Sequence, residues 1–261
     1  MRIKIFVLLC LTAIMQFTGV TPLKASHYYY KQLSLKDGVT SAVRCILTDK
    51  QGFVWIGTKA GISRYDGHEL KKYVYSPNNP HSIPNNLIHQ IAEDEMSNIW
   101  ILTDKGIARY QRQSDDFFLP TDEKGNPIIA YSTCLTKDGV LFGSKDKVYF
   151  YSYRDSSLRL LQKLNKGNNF NISLLSLWNE HTVLCCSRWQ GLALLDLKTG
   201  KHRLPPFDCG KEIMNMLIDS QNRIWIAPYN EGIKCFTHNG ELVKAYTTHN
   251  SDLSNLSLIH I

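Results

Sequence analysis

The stretch from Val43 to Gly67, VRCILTDKQGFVWIGTKAGISRYDG, recurs along the chain, and this recurrence limits the folds open to it. Aligned on Trp55, a second copy falls at Trp100, with Asp94 matching Asp49, Gly106 matching Gly61 and Tyr110 matching Tyr65. A third copy sets Leu141 to Ser144 in place of the Trp55, Ile56, Gly57, Thr58 run, after a turn one residue shorter. A fourth has Leu184 at the anchor and keeps the end of the pattern in Gly191 to Asp196. In a fifth, Asp219, Trp225, Gly232 and Phe236 return to register. From anchor to anchor the intervals are 45, 41, 43 and 41 residues.

Within one copy, Val43 to Leu47, Phe53 to Thr58 and Ile62 to Tyr65 read as short strands separated by turns at Asp49 to Gly52 and at Gly61. Asp66 and Gly67 then turn into a fourth strand, Glu69 to Tyr75, because Asp-Gly supplies the positive φ angles of a tight hairpin. Four strands in a unit of this length make a β-propeller blade and exclude a helical solenoid. The predicted fold is all-β: a propeller of about five four-stranded blades near residues 39–80, 83–122, 128–163, 170–206 and 211–248. Ser251 to Ile261 aligns with Ser82 to Ile91 and is predicted to begin a sixth blade, giving an incomplete ring.

The recurring residue types have a structural explanation. Blades pack face to face, so a middle strand needs a large flat residue, and an aromatic there buries about 150–250 Å². Trp55, Trp100 and Trp225 are predicted to fill that place, with the glycines serving backbone geometry at turns. Asp49, Asp94 and Asp219 recur at equivalent turns, where a short carboxylate bonds nearby backbone N–H groups. A catalytic carboxylate would occur once instead of once per blade.

The pattern written from Ile46 to Gly67 resembles the two-component regulator propeller repeat, over residues 28–261. That resemblance implies the periplasmic sensor half of a hybrid two-component receptor, with seven-bladed propellers that sense carbohydrates or their breakdown products. It further implies a membrane helix, a histidine kinase, a receiver and a DNA-binding module, none of which is in this sequence. The implied partners are an oligosaccharide ligand and the remaining blades and kinase region of a receptor.

At the amino terminus, Arg2 and Lys4 precede an apolar run from Ile5 to Met15 and a polar stretch ending at Ala25. This reads as a signal peptide over residues 1–25, with a periplasmic product beginning near Ser26. Its removal takes three basic residues and lowers the formal charge from +7 to +4, which argues against nucleic acid as a partner. Tyr28 to Leu35 resembles an outermost blade strand of the kind that closes a ring. In that oxidising compartment six cysteines remain: Cys45, Cys134, Cys185, Cys186, Cys209 and Cys235. Most fall inside predicted strands and read as small apolar fillers, and no spacing suggests a metal site.

No nucleophile with a base, paired carboxylates or phosphate loop occurs at usable spacing, so neither catalytic residues nor a cofactor are predicted. The inter-blade links Ser76 to Pro84, Pro120 to Pro127 and Leu204 to Gly210 are the places for ligand contacts, with His81, Asn85 and Asn86 in or beside the first. Three function classes compete. A glycan-sensing receptor region ranks first, an interaction scaffold second and a sugar-acting propeller enzyme third. The scaffold lacks the Gly-His and Trp-Asp dipeptides of WD40 blades, and an enzyme would require Arg44, Arg64 and Arg109 to converge on one pocket.

Overall fold

In the computed structural model, residues 42–164, 170–210 and 212–247 are described. The leader, the strand expected over residues 28–35 and the sixth-blade strand expected over 251–261 lie outside these residues.

Among the described residues, twenty strands form five antiparallel sheets, each of four strands in sequence order. The first sheet holds β1 (Val43–Thr48), β2 (Val54–Thr58), β3 (Gly61–Tyr65) and β4 (Leu70–Tyr73). The second holds β5 (Ile88–Glu93), β6 (Ile99–Thr103), β7 (Gly106–Gln111) and β8 (Asp116–Phe118). In the third are β9 (Ser132–Thr136), β10 (Gly139–Ser144), β11 (Lys147–Ser152) and β12 (Leu158–Lys163). The fourth comprises β13 (Leu174–Asn179), β14 (Thr182–Ser187), β15 (Gly191–Asp196) and β16 (His202–Arg203), and the fifth β17 (Ile213–Ile218), β18 (Ile224–Pro228), β19 (Ile233–Phe236) and β20 (Leu242–Tyr246). These are the blades of a propeller, arranged as an open ring. First strands meet in succession, β1 on β5, β5 on β9, β9 on β13 and β13 on β17.

The core is divided among four seams, one between each pair of successive blades. Trp55, Ile62 and Tyr73 of the first blade pack against Ile91, Ile101 and Tyr110 of the second. Trp100 and Leu102 meet Val140, Phe142 and Tyr151 in the next seam, Leu141 meets Val183 and Leu195 in the third, and Leu184 meets Ile226 and Phe236 in the fourth. Because side chains alternate between the faces of a strand, each middle strand serves both seams of its blade. Ile101 faces backward and Trp100 forward, and both are fully buried.

Turns follow a shared chemistry. At the fourth residue of the Asp turn, Gly52, Ser97 and Asn222 all adopt left-handed φ, at 88°, 62° and 58°. Glycine is therefore favoured there but dispensable, since a small polar residue tolerates that region. Gly57 is different: it lies in β2, and a Cβ on it would stand 2.5 Å from Cys45 Sγ and 2.8 Å from Ile88 Cγ2. The close approach of β5, and not a turn, excludes a side chain from that position.

Candidate functional site

The repeat anchors form one constellation in each of the first, second and fifth blades. Trp55, Trp100 and Trp225 donate their indole N–H to Asp49, Asp94 and Asp219 at 3.0, 2.7 and 2.8 Å. The other oxygen of each carboxylate accepts backbone N–H groups of the turn, as from Phe53 at 2.9 Å, Asn98 at 2.8 Å and Arg223 at 2.9 Å. Each Asp thus holds its turn and fixes the plane of its Trp, a second role that the turn-forming expectation lacked. Burial alone would raise the Asp49 carboxyl, but the bonds from Trp55 and Arg112 outweigh it and hold the group below its usual range. For Asp219 the bond from Trp225 leads the lowering, reinforced by Arg223.

The next blade completes the first two constellations. Tyr110 stands edge-on to Trp55 with ring centroids 4.8 Å apart, and Tyr151 meets Trp100 in the same way at 4.7 Å. Arg64 donates to the Tyr110 hydroxyl, and Arg109 donates to the Tyr151 hydroxyl at 2.8 Å. The two arginines therefore serve separate seams and do not converge. Asp115 gathers Lys71, Tyr73 and Tyr110 across the first seam. Gly61, Gly106 and Gly232 open the third strands with positive φ, Tyr65 closes β3, and Phe236 takes the Tyr110 position at the fourth seam, stacked on Phe207 at 4.6 Å. Trp225 is half-buried, where Trp55 and Trp100 are fully buried.

These groups bind one another, so the exposed loops are the place to look for a ligand. Turns joining second to third strands share one end of the blades with the inter-blade links. In the first link Asn86 Oδ1 accepts Tyr75 N–H at 2.7 Å and Asn85 Oδ1 accepts Leu87 N–H at 2.8 Å, so both amides brace the loop. His81 lies within 3.8 Å of Asp116. At the fourth blade the link Leu204 to Gly210 and the turn residues Gln190 to Leu192 enclose a cavity of about 430 Å³. Beside Gln190, Trp189 is 64% exposed, with the Arg188 guanidinium 5.1 Å from its ring centroid. Tyr229, on the matching turn of the fifth blade, is 50% exposed. Sequence reasoning reaches that link but misses Trp189, although an Arg-Trp pair on a turn that reads Lys59-Ala60 in the first blade is a visible signal. Among the described residues no cluster of His, Cys, Asp and Glu is placed to hold a metal ion.

Residues 37–60 match the family described as "Two component regulator propeller". These residues are similar to a regulator propeller repeat. A 59-residue stretch is 37% identical to histidine kinase P4 of Formosa agariphila, covering 22% of this chain and 4% of that protein. In structure the propeller is similar to the extracellular domain of the putative hybrid two component system BT3049 from B. thetaiotaomicron, at TM-score 0.65 and 19% identity over 80% of this chain and 30% of that one. The extracellular domain of BT4673 from the same organism gives 0.64 and 17%, with 80% and 32% covered. A catalytically inactive virginiamycin B lyase from Staphylococcus aureus gives 0.60 and 13%, with 86% and 74% covered. The chain thus spans under a third of these two extracellular domains, and its fold is shared with an enzyme, so function has to be argued from sites.

Proposed function

We propose that this regulator propeller is a ligand-sensing region of an exported two-component receptor, and that it recognises a carbohydrate or glycan breakdown product without turning it over. The observation that carries the ligand class is Trp189, 64% exposed and next in sequence to Gln190, which with the Asp208 link borders a cavity of about 430 Å³. A flat ring face stacks on sugar C–H surfaces, and neighbouring amide and carboxylate groups take hydroxyl hydrogen bonds. Recognition without turnover is supported by the recurring carboxylates, all of which are engaged in holding turns and tryptophans. The regulator propeller match supports a receptor context, in which a kinase region and further blades are the partners and the periplasm the location.

Calorimetric titration of the chain with a panel of oligosaccharides tests this, run beside an assay for glycosidic cleavage. Binding by one glycan class, weakened at least ten-fold in Trp189→Ala, is the expected result. Cleavage of any panel member, or unaltered binding in the variant, overturns the reading.

A further inference from the structure

The third seam is built unlike its neighbours. In the first two seams an Asp, a Trp and the next blade's Tyr lock together. Strand register identifies the corresponding residues in the third: Leu47 pairs with Trp55, and Cys134 pairs with Leu141. Leu141 therefore stands at the Trp position, and Thr136, two residues beyond Cys134, stands where Asp49 accepts the indole N–H. On the fourth blade Leu195, four residues after Gly191, stands where Tyr110 follows Gly106. All three members of the lock are replaced by smaller groups. The fourth seam also has a leucine anchor, Leu184, but there Trp178 reaches in from β13, its ring 4.0 Å from His238 and 6.4 Å from Phe207.

Among the described residues the third seam holds no tryptophan, its buried aromatic being Phe170, and a cavity of about 460 Å³ borders it. Leu141, Phe150, Leu161, Leu177 and Leu197 form its apolar walls, and Thr136, Glu95 and Asp138 border it. At its mouth Lys137 lies 3.9 Å from Glu180, while the Arg159 guanidinium leans over Phe150 at 5.9 Å. Among the described residues Arg159 makes no ion pair. A space of this size is ample for a small ligand, and apolar walls with a few convergent polar groups are what such sites require.

We infer that the seam between the third and fourth blades is a binding site for a flat aromatic carboxylate, its ring occupying the place an indole holds in other seams and its carboxylate meeting Arg159. Arginine presents a planar fork of donors suited to a carboxylate. This site is distinct from the Trp189 loop face and does not depend on it.

Titration of the 261-residue chain with indole-3-acetate, indole and tryptamine, followed by calorimetry, tests the inference. Indole-3-acetate is expected to bind most tightly and tryptamine most weakly. Leu141→Trp restores the missing indole and should lower affinity for indole-3-acetate at least ten-fold while raising the melting temperature. Leu161→Trp, which fills the cavity from the outer strand β12, gives the same readout should the first variant fail to fold. Arg159→Gln should remove the preference for indole-3-acetate over indole. Absence of binding by all three compounds, unchanged affinity in the filled variants, or tightest binding by tryptamine overturns the inference.

Discussion

The Tyr110 ring stands edge-on to Trp55 across a blade boundary, at an interplanar angle of 65°. Tyr151 repeats the relationship with Trp100 at the same angle, although the two tyrosines sit in different blades of drifted sequence. The indole of one blade and the phenol of the next therefore form a single packing unit, and its removal should be felt by both blades.

Trp100 is fully buried, so its truncation leaves a hole that no solvent-facing rearrangement can fill. Trp100→Ala should cost about 3–5 kcal/mol, since transfer and cavity terms add. Trp225→Ala, at a half-buried position, should cost clearly less. Urea denaturation midpoints of the two variants give the comparison, and equal losses would contradict it.

Acid should loosen the first seam through Asp115. Burial pushes this carboxyl up, but hydrogen bonds from Lys71, Tyr110 and Tyr73 prevail and hold it at about 2. A carboxyl lowered on folding contributes stability that is present above its unfolded value, about 4, and is lost as pH falls toward 2. Asp115→Asn should therefore flatten the fall in melting temperature between about pH 4 and about pH 2. The steepness of that fall, measured on both proteins, decides the matter.

Two glycines should respond differently to substitution. A Cβ on Gly52, at φ 88°, would have nothing within 4 Å of it, and asparagine already occupies the same turn position at Asn222. Gly52→Asn should change stability by about 0.5 kcal/mol or less. A Cβ on Gly232 would meet the Tyr246 carbonyl at 1.9 Å as well as requiring φ of 79°, so Gly232→Ala should cost about 2 kcal/mol or more. Thermal melts of the pair distinguish steric from conformational demand.

The thiols should be slow to react. Burial raises Cys45 and Cys134 to about 11 and Cys186 to about 12, so little thiolate exists near neutrality. Five of the six cysteines of the described residues are buried and Cys45 is half-buried. Labelling with a thiol-specific chromogenic reagent at pH 8 should be slow in the folded chain and rapid after denaturation. A fast native burst would show an accessible thiolate.

Much of this architecture is legible in the sequence because Trp55, Trp100 and Trp225 mark blades at nearly constant spacing, and because Asp turns and glycines punctuate the strands. The seams are not. Trp178 fills the fourth seam from a first strand, outside the register that defines the repeat, and Arg64 reaches its phenol partner Tyr110 across a blade boundary, 46 residues away in sequence. Such long-range pairings leave no local periodicity. For the same reason Leu141 and Leu195 read as ordinary apolar residues until strand register places both at one seam.

The outer rim raises a separate issue, that of templated growth. Phe117 N–H, in the outermost strand of the second blade, donates to the His81 carbonyl of the first link at 3.0 Å, so the link takes up a hydrogen-bonding group on that rim. At the fourth blade the outermost strand is only two residues long, too short to recruit another chain. Among the described residues β20 has neither protection in kind: it runs five residues, with Leu242 57% and Val243 51% exposed. If these molecules polymerise on storage, that strand is where one copy would begin to write itself onto the next, and Val243→Lys should interrupt the writing.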